Sequence, residues 1–454
     1  MSRRTAVKAA MSLASLVALP RALHAFEASD ADTYIDAATR IHRWLAATAQ
    51  RGTNGLTWAA DPRDPKTESY DLYNGMPGVV LFLLEYAHAT GDQQVLADAA
   101  HAADTIVSVV NGPNESVEKL GTGLYVGLAG LAFVLHETYR STEERKYRDA
   151  AVRALNHVQR LAKAVDHGIE WSSTVDIISG GAGTGLTLLA LEAQFRELGM
   201  QQLAHDAARR LSSLGVADHG GLKWAMNPTF ARRMPNFSHG TAGVSYFLAT
   251  VAERNSDTQL LDAAAQGAEY LRNVATKTAK GGWKVFHSEP GNESLFYLSW
   301  CHGPAGTARL YERLGRSSKY RALGAEVARL AQGTIDSGVP DRSPGYWNNI
   351  SQCCGNCGVV EFFTSLYRST RDEQHLAFAK RVMDDALGRA TEESGGLKWT
   401  QAEHRVQPDN LVAQTGLMQG AAGVGLALLH LDGTIKGRRD RIALPDNPWR
   451  TPNA

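Results

Sequence analysis

The chain has 454 residues, of which 44% are hydrophobic and 21% are charged. Lys+Arg and Asp+Glu number 47 each, so no net charge draws the chain to nucleic acid or to an acidic membrane surface. This length suggests about three domains, unless a repeat builds one large domain from small units. Beyond the N-terminus, no apolar run reaches the ~18 residues that a membrane span requires, so we expect no membrane span.

The N-terminus has the features of an export signal. The first eight residues include three basic ones, a mild apolar run follows, and Ala22-Leu-His-Ala25 offers small residues for cleavage. Residues 1–25 therefore predict a signal peptide, of the twin-arginine type because of Arg3 and Arg4. We expect an exported protein, periplasmic or otherwise extracytoplasmic, with residues 26–454 as one domain. The alternative is a basic amphipathic leader that frays, in which case the protein would be cytoplasmic.

One motif recurs seven times along the rest of the chain. It is a Gly-x-x-Gly sequence followed by an apolar helical run, and its copies are spaced 52 to 65 residues apart. The first glycines of the copies are Gly75, Gly127, Gly180, Gly240, Gly303, Gly355 and Gly420. An amphipathic, alanine-rich segment precedes each copy, and residues 30–50 supply the segment for the first one.

The helices after the motifs differ from the helices before them. Segments such as 79–84 and 424–429 are apolar on nearly every side, as burial on all sides requires, whereas the preceding segments are two-faced. Seven alternations predict an all-α fold, an (α/α)7 toroid of seven inner and seven outer helices. The motif glycines would let neighbouring backbones approach closely. Strand signals are weak and predict no separate β domain.

In such a toroid, the residues just before each motif form a ring at one end of the barrel. This ring contains Asn74, Val126, Ser179, His239, His302, Cys354 and Gln419, and Cys301 and Cys353 stand one position earlier. Three of the four cysteines thus lie at the starts of two adjacent inner helices. Three thiolates suit Zn²⁺, helix N-termini favour the thiolate form, and a fourth coordination position is left open, as in catalytic zinc sites. We predict zinc ligands at Cys301, Cys353 and Cys354.

Other roles for the residues of this ring are open. We interpret Cys357, inside the sixth motif, as a small core residue rather than a ligand, and His302 could replace one thiol. A Cys354-x-x-Cys357 redox pair lacks the βαβ surroundings typical of such motifs. A structural zinc site or a buried cluster of free thiols are further alternatives. Because His239 shares the ring with the cysteines, a functional histidine is favoured over a buried core histidine.

The motifs resemble those of the lanthionine synthetase C-like (LanC-like) family, zinc-containing toroids that include lanthipeptide cyclases. The resemblance spans essentially the whole mature chain. Its specific elements are Ser238-His-Gly-Thr-Ala-Gly243, Ser299-Trp-Cys-His-Gly-Pro-Ala-Gly306 and Cys353-Cys-Gly-Asn-Cys-Gly358. Seven-fold helical repeats alone would also be typical of glycan-processing toroids, and the three motifs in this order are more specific.

The resemblance implies a ligand set for zinc. Cys301 matches the cysteine of a Trp-Cys-x-Gly motif that supplies one ligand. Cys353 and Cys354 stand where a Cys-His-Gly motif usually supplies the other two, so a thiolate replaces an imidazole here. A third thiolate would make a bound substrate thiolate more electron-rich and a better nucleophile.

The resemblance also implies catalytic residues. His239 matches a family histidine proposed to donate or accept a proton, and Asp176 matches a family aspartate. Asp71 occupies the same phase in the first unit, so the position alone does not imply catalysis. Tyr297 is a departure, because some members carry an arginine there and a phenol cannot replace a fixed positive charge.

Zinc-assisted thiol addition is the leading functional hypothesis. The thiol of a peptide cysteine would attack dehydroalanine or dehydrobutyrine, with His239 as general acid and Asp176 orienting it. A transferase that uses a small, glutathione-like thiol is a variant of the same chemistry. One alternative is glycan processing by Asp71 and Asp176 as a carboxylate pair. Another is a non-catalytic zinc protein that binds a peptide or thiol. The basic run 436–441 is expected to be a solvated tail.

Overall fold

The computed structural model describes residues 30–230 and 232–449, and the expected signal peptide, residues 1–25, lies outside them. Within this described part, seven inner and seven outer helices alternate along the chain, so the predicted (α/α)7 toroid is confirmed. The inner helices are α2 (Met76–Thr90), α5 (Leu128–Thr142), α7 (Gly181–Leu191), α9 (Thr241–Asn255), α11 (Pro304–Gly315), α13 (Asn356–Thr370) and α15 (Ala421–Lys436). The outer helices are α1 (Asp30–Thr48), α3 (Gln93–Val110), α6 (Arg145–Leu161), α8 (Met200–Ser213), α10 (Thr258–Val274), α12 (Glu326–Asp336) and α14 (Glu373–Gly388).

The two ends of the chain close the ring. Each inner helix from α2 to α13 packs against the outer helix that follows it, and neighbouring inner helices contact one another around the whole circle. The last inner helix, α15, packs against α1. Helix α1, which the sequence pattern assigned to the first motif, therefore completes the seventh unit. A short helix, α4 (Asn114–Glu118), lies outside this alternation, and no helix of the described part is long and apolar enough to cross a membrane.

The strands are short, and those in the described residues form small sheets rather than a β domain. Most are hairpins that follow an outer helix. The strands are β1 (Gln50–Gly52), β2 (Gly55–Thr57), β3 (Lys163–Val165), β4 (Gly168–Glu170), β5 (Val216–Asp218), β6 (Gly221–Lys223), β7 (Thr276–Lys277), β8 (Trp283–Lys284), β9 (Phe286–Ser288), β10 (Asn292–Tyr297), β11 (Tyr346–Trp347), β12 (Thr391–Glu393), β13 (Gly396–Lys398), β14 (Gln401–Ala402) and β15 (Leu411–Val412). One sheet has three strands, in the order β11-β10-β9.

The motif glycines allow a close backbone approach, but mainly within one unit and not between neighbouring units as predicted. In the fourth unit, a Cβ atom on Gly243 would lie 2.1 Å from the carbonyl oxygen of Phe237, six residues earlier in the same chain segment. The second glycine of most other motifs meets a carbonyl oxygen at the same spacing. The approach that the glycine permits is therefore mainly between an inner helix and its own preceding loop. Contacts with the neighbouring unit, such as Gly78 against Leu417, add to it.

Seven backbone hydrogen bonds join the loops before the inner helices into a closed circle, which we call the loop belt. The N–H groups of Tyr73, Tyr125, Ile177, Ser238, Cys301, Cys353 and Met418 donate, in this order, to the carbonyl oxygens of Tyr125, Ile178, Ser238, Cys301, Cys353, Met418 and Tyr73, at nitrogen–oxygen distances of 2.8–3.1 Å. Each unit thus contacts both neighbours through its backbone. The belt fixes the height of every loop at this end of the barrel.

The chain re-enters the barrel after α15, and we call residues 438–449 the re-entrant segment. The backbone N–H groups of Arg441 and Ile442 donate to Oε2 of Glu85, at 2.8 and 2.7 Å, midway along α2. Arg368 donates two hydrogen bonds to the carboxylate of Asp440. The expectation of a solvated tail at 436–441 is therefore wrong for its second half: Asp440 and Arg441 bond to inner helices and direct the chain into the interior, whereas Lys436 and Arg439 are exposed.

Candidate metal centre

The two cysteine loops follow two paired strands. Strands β10 and β11 run parallel, and Tyr297 stands opposite Trp347 at their ends. The loops that follow lead to Cys301 and to Cys353, whose backbones join directly because the Cys301 N–H donates to the Cys353 carbonyl at 3.0 Å. Parallel pairing thus delivers both loops to the same edge, which brings residues 52 positions apart in sequence side by side.

Three thiols meet at this edge. The Sγ atoms of Cys301 and Cys354 are 3.2 Å apart, and those of Cys354 and Cys353 are 3.5 Å apart. All three side chains are buried, and their sulfur atoms lie within 4.8 Å of one another. A tetrahedral zinc ion with Zn–S bonds of about 2.3 Å would hold sulfur atoms about 3.8 Å apart. The three thiols therefore fit a zinc ion after a shift of a few tenths of an ångström.

The protonation of the cluster is uneven. Hydrogen bonds from the thiols of Cys301 and Cys353 lower the pKa of Cys354 well below its usual value. Burial raises the pKa of both Cys301 and Cys353. Cys354 is thus the thiol of the three that loses its proton most easily, and the other two require a cation to stabilise their charge, because burial disfavours a charged form.

Two polar side chains support the cluster from the loop belt. The Tyr73 hydroxyl donates to Sγ of Cys353 at 3.0 Å, and Nε2 of Gln419 donates to the Tyr73 hydroxyl oxygen at 3.0 Å. Burial raises the pKa of Tyr73, which keeps its hydroxyl protonated as a donor. Sequence reasoning missed Tyr73. The signal was its phase, since it stands two residues before the motif glycine, as do Cys301 and Cys353.

Cys357 and His302 lie outside the thiol cluster. Cys357 is fully buried on α13, and burial raises its pKa, as expected for a core thiol. Neither residue belongs to the groups of metal-capable side chains found within the described residues. His302 is buried against aromatic rings instead, with its ring centre 4.4 Å from that of His287 and 5.3 Å from that of Tyr297. Burial holds the pKa of His302 well below its usual value, so this ring is neutral.

His239 and Asp176 are joined across two units. Nδ1 of His239 lies 2.6 Å from Oδ2 of Asp176, whose carboxylate is fully buried. The other oxygen, Oδ1, accepts hydrogen bonds from the backbone N–H groups of Ser179 and Gly180. In the first unit, Oδ1 of Asp71 caps its loop in the same way through the N–H of Asn74, at 2.7 Å. The first and third units thus each have an aspartate that caps the loop, but only Asp176 is also described with a bond to a histidine.

The thiols and His239 line one open pocket of about 380 Å³ at the belt end of the barrel. Its walls also carry Tyr297, His287, His302 and the arginines Arg232 and Arg405. Among the residues that the structure describes, neither arginine forms an ion pair with a carboxylate. Arg405 comes from the loop between β14 and β15 and lies beside Tyr297. Burial raises the pKa of Tyr297, and the positive charge of Arg405 offsets part of that rise. A guanidinium therefore occupies the neighbourhood of Tyr297, although it comes from another unit.

Comparison with solved structures identifies the same architecture elsewhere. The chain is similar to nisin cyclase, with a TM-score of 0.61 and 17% identity over 89% of this chain and 99% of that one. It also matches a GH76 α-mannanase from Bacteroides thetaiotaomicron, with a TM-score of 0.49, 8% identity and coverages of 90% and 97%. At 17% identity, the likeness to nisin cyclase concerns the fold alone. A comparison with curated protein sequences finds no match to this chain.

The sequence itself matches one family model. The model of the lanthionine synthetase C-like protein covers residues 66–439, from just before the first motif to the beginning of the re-entrant segment. This match spans all seven Gly-x-x-Gly motifs and all three cysteines of the cluster. The chain therefore belongs to the lanthionine synthetase C-like protein family.

Proposed function

We propose that this protein is a zinc-dependent enzyme that adds a thiol to the double bond of an α,β-unsaturated amino acid residue in a peptide. A lanthionine-type cyclisation uses a cysteine of the same peptide, and a transferase uses a small thiol. The observation that carries the proposal is the pocket itself, which is lined by the three-thiol cluster and by His239, with the buried Asp176 bonded to His239 from behind. Membership of the family supports it.

The metal would be held by Cys301, Cys353 and Cys354, because their sulfur atoms form the one cluster of three thiols among the described residues, and thiolates are ligands that zinc prefers. A zinc ion bound there would act as a Lewis acid that lowers the pKa of a substrate thiol. Tyr73 would stabilise the negative charge of the ligand set through its hydrogen bond to Cys353.

His239 would supply the proton that completes the addition. The substrate sulfur bonds to the β-carbon, the carbon–carbon π bond breaks, and the α-carbon must then gain one proton. Asp176 engages Nδ1 of His239, which leaves Nε2 as the nitrogen that can serve the pocket. Asp176 would also hold the imidazole in the orientation from which it donates, as a buried carboxylate does in other histidine pairs.

Arg405 would stabilise the charge that develops on the peptide carbonyl oxygen during the attack. The resemblance led us to expect an arginine in the position of Tyr297, and the phenol there carries no fixed charge. Arg405 lies beside that phenol and has no described carboxylate partner, so its charge is available to the pocket. Arg405, in a loop of the seventh unit, would thus supply the positive charge that the resemblance led us to expect at position 297, in the fifth unit.

Metal analysis combined with a peptide assay tests the proposal. We expect about one zinc per wild-type chain, loss of zinc in Cys354→Ala and Cys301→Ala, and full retention in Cys357→Ala, the matched control. A dehydrated peptide offered with and without an external thiol should form thioethers with the wild-type protein and Cys357→Ala, and not with Cys301→Ala or Cys354→Ala. Zinc without turnover would favour a binding protein. A hydrolysis of glycans that survives metal removal would favour the carboxylate alternative and contradict the thiol chemistry.

We also propose that the protein is exported and acts outside the cytoplasm, which rests on the sequence of residues 1–25. A reporter fused to residues 1–30 should leave the cytoplasm, and replacing Arg3 and Arg4 by lysine should block this transport. Retention of the unmodified fusion in the cytoplasm would contradict the proposal and leave the enzymatic one untouched.

A further inference from the structure

The re-entrant segment carries a carboxylate deep into the barrel. Asp446 is fully buried, and its Oδ2 accepts a hydrogen bond from Nε1 of Trp300 at 2.7 Å and another from the Tyr125 hydroxyl at 3.2 Å. Nη1 of Arg309 lies 3.3 Å from the same carboxylate and donates to the Asp446 backbone carbonyl at 2.7 Å. Two units of the toroid therefore converge on one residue near the end of the chain, the second through Tyr125 and the fifth through Trp300 and Arg309.

Trp300 and Cys301 are neighbours in sequence that face different spaces. Cys301 lines the pocket with the other two thiols, whereas Trp300 lines the enclosed interior space beneath the loop belt. The Trp300 ring packs edge-on against Tyr125 and Phe237, with ring centres 5.0 and 5.8 Å away. The peptide that joins Trp300 to Cys301 is thus held on one side by the interior and on the other by the metal site.

The hydrogen bond to Asp446 is the polar anchor of this arrangement. A buried indole N–H requires an acceptor, and here the acceptor is charged, which makes the bond stronger than a neutral one. Asp446 is in turn fixed by Arg309, so removing its charge would leave a buried guanidinium without its carboxylate. The strength of the anchor therefore depends on the re-entrant segment staying in place.

We propose that Asp446 is a positioning residue for the metal centre: its buried carboxylate holds Trp300 and, through Trp300, fixes the Cys301 ligand. The segment after α15 is then a functional part of the site and not merely a filling of the barrel. This inference rests on the proposed zinc site, since Cys301 is assigned there as a ligand. The site would then include Trp300 and Asp446 on the interior side of the loop belt, residues to which none of the motifs assigned a role in metal binding.

If Asp446 only filled space, Asp446→Asn would bind zinc as the wild type does, because it retains the volume of the side chain and loses only its charge. The variant therefore separates a packing role from a positioning role. Positioning predicts that zinc competition with a chromophoric chelator gives an affinity about 10-fold lower in Asp446→Asn, the size of effect typical of residues that orient a ligand. Trp300→Phe, which retains a ring but removes Nε1, should have a similar effect. The double variant should be no worse than Trp300→Phe alone, because without Nε1 the change at Asp446 has no bond to Trp300 left to weaken.

Asp440→Asn is the matched control, because it removes a carboxylate from the same segment but one that pairs with Arg368 and does not contact Trp300. It should bind zinc as the wild type does. Equal zinc affinity in Asp446→Asn and wild type would overturn the inference while leaving the proposed function intact.

A second readout does not depend on metal. In chelator-treated protein, alkylation by iodoacetamide, mapped by mass spectrometry, should be several-fold faster at Cys301 in Asp446→Asn than in wild type, with Cys357 unchanged as the internal reference. Unchanged labelling at Cys301 would count against positioning. Wild-type protein without zinc would contradict the proposed function, and the labelling would still decide whether Asp446 positions Cys301.

Discussion

Nδ1 of His239 is 2.6 Å from a carboxylate oxygen of Asp176, although the two residues belong to different units and are 63 positions apart in sequence. A backbone hydrogen bond of the loop belt brings the two residues together: the N–H of Ile177, next to Asp176, donates to the carbonyl of Ser238, next to His239. The backbone thus places the two side chains side by side before either one contributes any chemistry.

Asp176→Asn should reduce kcat for thiol addition by about 10²-fold or more, since general acid catalysis by a positioned side chain contributes that much. His239→Ala should reduce kcat at least as strongly, and zinc content should be unchanged in both variants. The matched control is Asp71→Asn, because Asp71 caps its loop as Asp176 does but contacts no histidine in the described structure. Steady-state kinetics on a dehydrated peptide measure the effect, and equal losses in Asp71→Asn and Asp176→Asn would reduce Asp176 to a loop cap.

The period of the Gly-x-x-Gly motif was enough to predict the toroid. Glycine at the start of each inner helix is a local requirement, and an apolar run around the whole helix reports burial, so both signals are present in the sequence itself. The ring of residues before the motifs also brought Cys301, Cys353 and Cys354 together correctly, because equivalent units place equivalent residues at one height.

Contacts that break the repeat could not be predicted in this way. Arg405 reaches the pocket from a loop between two short strands, and no periodic signal marks its direction. Asp446 follows the last repeat, where charged residues at 436–441 suggested solvent. The pairing of Asp440 with Arg368 reverses that expectation, because the partner lies on a helix 72 residues earlier. Long-range partners of this kind are set by the fold and not by local composition.

Arg405→Ala should lower kcat while zinc content stays at the wild-type value, because the side chain contributes charge to the pocket and no ligand to the metal. A loss of about 10-fold or more is expected for a charged group that stabilises a developing oxyanion. Arg405→Lys should recover part of the activity, since it restores the charge without the planar fork. Arg63→Ala is the control, because Arg63 is exposed and pairs with Asp61. If both arginine-to-alanine variants behaved alike, the pocket would not use Arg405.

Tyr73→Phe should weaken zinc binding without changing the fold. The variant removes the hydroxyl that donates to Sγ of Cys353, and hydrogen bonds to ligand atoms of this kind typically change metal affinity by about 10-fold or more. Chelator competition measures the affinity, and circular dichroism checks the helical content. Tyr147→Phe is the comparison, because that hydroxyl donates to the Ala100 carbonyl between two outer helices. A zinc affinity equal to that of the wild type in Tyr73→Phe would exclude Tyr73 as a support of the metal site.

Gly243→Ala should destabilise the protein by about 1–3 kcal/mol or more, as overpacking in a tight core does. A new Cβ there would lie 2.1 Å from the Phe237 carbonyl oxygen, and the loop cannot move away because it belongs to the belt. Gly388→Ala is the control, since no atom lies within 4 Å of a Cβ at that position. It should be neutral or stabilising by up to about 1 kcal/mol, because alanine favours a helix over glycine. Urea unfolding of both variants measures the difference.

The buried histidine His136 predicts a loss of stability in mild acid. Burial, with the nearby Arg140, Arg441 and Arg148 also contributing, lowers the pKa of His136 to about 4, from 6.5 in an unfolded chain. Between these two values the unfolded state binds a proton that the folded state does not. Above pH 6.5 the protonation of His136 does not change the free energy of unfolding. As the pH drops from 6.5 towards 4, it lowers the free energy of unfolding by roughly 3 kcal/mol in total.

Replacing His136 should remove the loss of stability that protonation of this residue causes in acid. In His136→Gln, the free energy of unfolding should decline less between pH 6.5 and 4 than in the wild type, whatever the variant's stability at pH 7. His101→Gln, a change at an exposed histidine on α3, should leave the wild-type slope unchanged. Urea unfolding at closely spaced pH values gives both slopes. Parallel curves for His136→Gln and wild type would mean that His136 titrates alike in the folded and unfolded chains, against the effect of its burial.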